Sequence, residues 1–172
     1  YFVSLLRKAV QVDDALIHAF VVMSNHYHLA LRVNQKPLSK IMHRLNTAYS
    51  VFYNMEKKRT GHVFQGRYMA IPILNDTYLL AVIRYIHRNP VAAQMCRRVE
   101  DYRWSSDLHY RGTFAGFVES QLPLGLLANE EQTAREQYRA FVDVDDGIDW
   151  EEFTFIDDES VELAKEQSAQ ES

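Results

Sequence analysis

The sequence predicts an α+β fold: an antiparallel sheet with helices mainly on one face, followed by an acidic C-terminal extension. Three observations carry that prediction. Apolar residues recur at helical spacing in separate stretches of the first 90 residues. Between the first two of these lies an apolar run that passes through Ser24-Asn25 into strict apolar/polar alternation. Finally, charge divides along the chain. Residues 1–120 carry 16 Lys+Arg against 8 Asp+Glu and all seven histidines, whereas residues 121–172 carry 3 against 15, which together make the net −4.

Each element has its own local signal. Phe2, Leu5, Leu6, Ala9 and Val10 predict a helix over 1–12, broken by Asp13-Asp14. Leu16 to Met23 is a nearly continuous apolar run, as in a buried strand. From His26 to Val33, Tyr27, Leu29, Leu31 and Val33 share one face and His26, His28, Ala30 and Arg32 the other, so the two strands form a hairpin. Pro37 opens a long helix whose Leu38, Ile41, Leu45, Ala48, Phe52 and Met55 form an apolar stripe. Gly61 to Arg67 is a loop and Tyr68 to Leu74 a strand. Asn75-Asp76-Thr77 supplies capping side chains for a helix over 77–89, where Pro90 ends it. A short helical piece follows Pro90, another lies near 104–110, and Glu130 to Val142 is helical.

Length and composition bound the function. A chain of 172 residues fits one domain with an appendage, here a body over 1–120 and an acidic, partly helical extension over 121–172. The single Cys96 cannot form an internal bridge, which favours a reducing, cytoplasmic compartment. No apolar run approaches the ~20 residues of a membrane span. A basic body with an acidic tail is suited to a polyanionic partner; the tail reads as a cover over the basic groove, with a partly folded C-terminal helix and a disordered end as the other readings.

Two motifs carry chemistry. His26 and His28, at i and i+2 on a strand, can reach one metal ion together, although two histidines on an exposed sheet face would look the same. Tyr85 and Asn89, at i and i+4, share a helix face separate from the Leu79, Val82, Ile83 and Ile86 stripe. Alone they read as a structural tyrosine and a cap asparagine. His87 projects away from that face and is not counted as a ligand.

Four ordered segments carry a resemblance: Val22 to Leu29, Gly61 to Tyr68, Arg84 to Ala93, and Asp101 to Ser106. Together they resemble the REP-associated tyrosine transposases, within the single-tyrosine HUH transposases of the insertion-sequence 200 type. The resemblance implies a ferredoxin-like core, whose first strand is expected to be missing here. It implies His26, His28 and Asn89 as ligands of a divalent metal, Mg²⁺ or Mn²⁺, and Tyr85 as the nucleophile. The implied reaction is cleavage and transfer of single-stranded DNA at hairpin-forming repeats through a 5′-phosphotyrosine. The implied setting is a bacterial cytoplasm, without a membrane or nucleotide cofactor, as monomer or homodimer. Ser24 stands where that family commonly has proline.

Phosphate-neutralising candidates are Lys57, Lys58, Arg59, Arg67, Arg84 and Arg88, with Arg97, Arg98 and Arg103 behind them. Arg67 leads, because its loop belongs to the family pattern. Tyr53, Phe64, Tyr68 and Trp104 could stack on unpaired bases, with Trp104 and at least two of the others expected in the core. The alternatives are a non-catalytic DNA-hairpin-binding or regulatory protein on the same fold, a rolling-circle initiator or relaxase, and a zinc hydrolase. The last would have no need of Tyr85.

Overall fold

A computed structural model describes residues 1–144. Helix α1 (Phe2–Asp13) buries Phe2, Leu6 and Ala9 and ends on Asp14 in the left-handed region at φ 54°, a conformation Asp tolerates better than most residues. Strands β1 (Leu16–Val22) and β2 (Tyr27–Arg32) form an antiparallel hairpin, with Val22 opposite Tyr27 and Val21 opposite His28. The register shifts between Ile17, opposite Leu31, and Ala19, opposite Ala30, so that His18 is the extra residue of a bulge. The bulge explains why the first strand reads as a continuous run: Ile17 and Phe20 reach one cluster while Ala19 and Val21 reach the other.

Helix α2 (Leu38–Glu56) follows Pro37 and turns Leu45 towards Phe2, Leu6, Ile17 and Phe20. Helix α3 (Asp76–Ala92) is capped by the Asn75 side chain, which accepts from the Tyr78 N–H at 2.8 Å. Then come a 3₁₀ turn (Val99–Asp101), α4 (Asp107–Tyr110), α5 (Gln121–Leu127) and α6 (Glu131–Asp143). Leu79, Ile83 and Ile86 of α3 share a core with Ala19, Val21 and Ala30 of the hairpin and with Leu124, Ala134, Tyr138 and Val142.

Several expectations are corrected. Helices cover both faces of the hairpin rather than mainly one: α1 and α2 lie against Tyr27, Leu29 and Leu31, and α3 against the face bearing Ala30. Residues 68–74 form no strand; Met69 and Leu74 are exposed there, and an apolar run containing Pro72 supplies no partner for pairing by itself. Helix α3 runs through Pro90 to Ala92. A proline this close to a helix end forfeits little backbone bonding, and Pro90 is buried. The compact body also does not stop at 120, because α5 and α6 complete the α3 core. The acidic segment after 144, and with it the expected cover over the groove, lies outside the described residues.

The described sheet is thus two-stranded, within a mixed fold of two strands and six α-helices. Single bridges extend the free edge of β1, Ile17 to Val118 and Val21 to Ser105. Among the described residues no helix is long and apolar enough to cross a membrane.

Candidate active site

The hairpin turn sets the first half of the site. The Met23 N–H donates to the His26 carbonyl at 2.9 Å, closing the turn so that His26 and His28 lie on one side. Their rings stand 5.0 Å apart, nearly perpendicular. His26 Nδ1 lies 2.7 Å from the Asn25 side-chain oxygen. A carbonyl can only accept, so Nδ1 carries a proton, and in the neutral imidazole the lone pair then sits on Nε2. Tyr27 points through the sheet instead, donating its hydroxyl to Asn46 Oδ1 at 2.7 Å. Burial raises its pKa and holds it as a neutral phenol.

Helix α3 supplies the second half. Asn89 Nδ2 donates to His28 Nε2 at 3.3 Å, and the Tyr85 ring meets the His28 ring edge-on at 5.2 Å. The spacing of one helical turn between Tyr85 and Asn89 brings both to the same imidazole. Burial, and then the neighbouring His26, lower the His28 pKa to about 4, so this imidazole is neutral at pH 7. The four residues read from the sequence thus converge on one spot.

The donor chemistry of that spot fits a divalent cation. His26 Nε2 and His28 Nε2 are both candidate ligand nitrogens; the second accepts from the Asn89 amide N–H, and a turn of that carboxamide would present its oxygen as a further donor. Asn25 orients His26 from behind, as partners of ligating histidines do. Among the described residues no group of three or more His, Cys, Asp or Glu could hold a metal, so the third protein donor would be Asn89.

The basic candidates divide. Lys57, Lys58, Arg59 and Arg67 are exposed at and beyond the end of α2. Arg59 donates to the His62 carbonyl at 3.2 Å and stands 5.8 Å over the Tyr53 ring. Arg84 corrects its expectation: it is 1% exposed and its guanidinium donates to the Phe141 and Val144 carbonyls, both at 2.7 Å. A guanidinium turned inward to helix-end carbonyls is not presented to phosphate. Arg88 is half-buried and donates to the Val142 carbonyl at 3.0 Å.

Trp104 is likewise corrected, being 45% exposed with the Arg103 guanidinium 4.3 Å from its ring centre. Phe64 packs against Tyr27 and Tyr49, and Tyr53 against Tyr49, so both are partly committed to the fold. Sequence reasoning missed the polar interior behind α3, where His87 is fully buried between Ser106 and Tyr138. Its one signal was that position 87 continues the inward side of 79, 83, 86 and 90.

No curated protein and no solved structure matches this chain. A model of the family described as transposase IS200 like matches residues 1–89, slightly more than half of the chain. That span starts with α1, takes in the histidine hairpin and ends on Asn89, and the chain belongs to the IS200-like transposases, a family of DNA transposition.

Proposed function

We propose that this transposase cleaves and rejoins single-stranded DNA at hairpin-forming repeats, in the manner of the REP-associated group, with Tyr85 as nucleophile. One observation supports it most directly: the Tyr85 ring and the Asn89 amide meet the same imidazole, His28, that neighbours His26. His26, His28 and Asn89 would hold the divalent ion, Mg²⁺ or Mn²⁺. When bound, such an ion supplies charge stabilisation at a non-bridging phosphate oxygen.

The protein's own part is positioning and nucleophilic attack. Tyr85 Oη bonds to phosphorus as the P–O3′ bond breaks, and the phenol proton ends on the departing 3′ oxygen. The strand downstream of the break is then held through its 5′ phosphate as a phosphotyrosine, and the upstream strand ends in a free 3′-OH. Because one phosphodiester replaces another, the reverse attack by a 3′-OH rejoins strands without a nucleotide cofactor. The exposed Lys57, Lys58, Arg59 and Arg67 would neutralise backbone phosphates, while Arg88 would act only from the half-buried margin. The reading carries a ferredoxin-like core; the bridges at Val118 and Ser105 are consistent with it.

The test is covalent capture. The full-length chain, incubated with labelled single-stranded hairpin DNA and Mg²⁺ or Mn²⁺, should form a denaturation-resistant adduct absent in Tyr85→Phe. An adduct that survives the substitution refutes the nucleophile. No adduct with either ion favours a DNA-binding protein without cleavage.

A further inference from the structure

Behind the site, on the opposite side of α3, runs a directional chain of buried hydrogen bonds. The Phe20 N–H of β1 donates to Ser106 Oγ at 2.8 Å, and Ser106 Oγ lies 2.6 Å from His87 Nε2. His87 Nδ1 lies 2.7 Å from the Tyr138 hydroxyl, which donates to Asp107 Oδ1 at 2.6 Å. Arg111 Nε donates to Asp107 Oδ2 at 2.6 Å. The Tyr138 proton is committed to a carboxylate, so Tyr138 accepts from His87 Nδ1–H. Nε2 therefore accepts from the Ser106 hydroxyl. Only one direction satisfies every member. Ser106, His87 and Asp107 are 0% exposed and Tyr138 2%.

We infer that Ser106, His87 and Tyr138 are positioning residues for the DNA cleavage proposed above, fixing the rotation of α3 so that Tyr85 and Asn89 face His28. The inference rests on that functional reading. His87 stands two residues from both Tyr85 and Asn89, roughly 200° around the helix from each. Bonds on this side therefore set the direction of the other. Apolar packing at Ile83 and Ile86 resists separation of α3 from the hairpin but is not directional. The chain is directional, and it is anchored at one end to Phe20, on the strand that pairs with His28's own. At the other end it reaches α6, which also accepts Arg84 and Arg88 from α3. A rotation of about 10° moves a side-chain tip 5–6 Å from the axis by about 1 Å, enough to cost about a hundredfold in rate.

The test uses the full chain with a labelled single-stranded hairpin oligonucleotide and Mn²⁺. Tyr138→Phe keeps the ring and removes the hydroxyl. It should slow single-turnover adduct formation about tenfold to a hundredfold at saturating DNA while leaving the DNA Kd within about twofold. Ser106→Ala cuts the chain at its other end and should do the same; it serves if Tyr138→Phe does not fold. Leu6→Ala, destabilised on the other face of the hairpin, should keep its rate per folded molecule. A Tyr138→Phe rate that is unchanged, or that falls only with the folded fraction, overturns the inference. A readout without DNA separates it from the functional reading. In either variant the NMR signals of the Asn89 side-chain amide and the His28 imidazole should move, and unmoved signals overturn the positioning role. A wild-type chain that forms no adduct while these signals respond sinks the cleavage reading, and with it the role in cleavage, leaving only the structural coupling.

Discussion

The two faces of the hairpin are held by different physics. Towards α1 and α2 the contacts are apolar and aromatic: Phe2, Leu6, Ile17, Phe20 and Leu45 form the centre, with Tyr27 and Tyr49 around Phe2. Towards α3 the apolar core is interrupted by His87, Ser106, Asp107 and Tyr138, each buried and each bonded. Hydrophobic burial gives adhesion roughly in proportion to area and little angular preference. Buried polar groups are costly unless their partners sit in place, so they select one arrangement. The candidate site lies on the second face, where orientation matters for chemistry.

The largest effect that would sharpen this contrast belongs to the apolar face. Leu6 is 0% exposed, and Leu6→Ala should lower stability by about 3 kcal/mol with little change in cleavage per folded molecule. Urea unfolding alongside single-turnover assays separates the two, and a loss of rate without a loss of stability would break the contrast.

Acid should act on the polar face. Burial, followed by the smaller effects of Arg111 and His109 against Asp107, lowers His87 to about 4 from the usual 6.5. The folded state therefore binds fewer protons than the unfolded chain between these values. Stability is fully present above pH 6.5 and falls towards pH 4, by about 1 kcal/mol per pH unit for this histidine. Urea midpoints over that range measure it, and a flat profile would contradict a neutral, buried His87.

The smallest effect concerns the surface. Arg67→Ala should weaken single-stranded DNA binding about threefold to tenfold and lower the salt slope by about one, because one phosphate contact is lost. Anisotropy titrations at several salt concentrations would reveal it. An unchanged slope removes Arg67 from the DNA path.

Local chemistry made much of this legible. The hairpin, α1, α2 and the start of α3 follow from spacing and caps, and His26, His28, Tyr85 and Asn89 meet because strand and helix periods put them on definable faces. What periodicity could not supply was tertiary partnership. Residues 68–74 are apolar like a buried strand yet have none to pair with. Pro90 looks like a stop until its burial near the helix end is known. Arg84 looks like a phosphate ligand until α6 brings its carbonyls to it. The acid-rich composition after 120 hid the fact that Leu124, Ala134, Tyr138 and Val142 complete the core.

The outer rim of β1 bears on solubility. A strand at the edge of a two-stranded sheet offers a row of backbone groups to any passing chain, the usual seed of intermolecular sheet growth. Here the same molecule occupies that row without building a third strand. The Ile17 carbonyl accepts from Glu119 N–H, that of His18 from the Tyr110 hydroxyl, and that of Phe20 from Ser106 N–H. The Val22 N–H donates to the Trp104 carbonyl, and the Val22 carbonyl accepts from the Tyr102 hydroxyl. The bulge contributes by turning the His18 carbonyl to a side chain rather than to a partner strand. Residues 102–119, with α4 among them, thereby act as a built-in guard against aggregation along this edge.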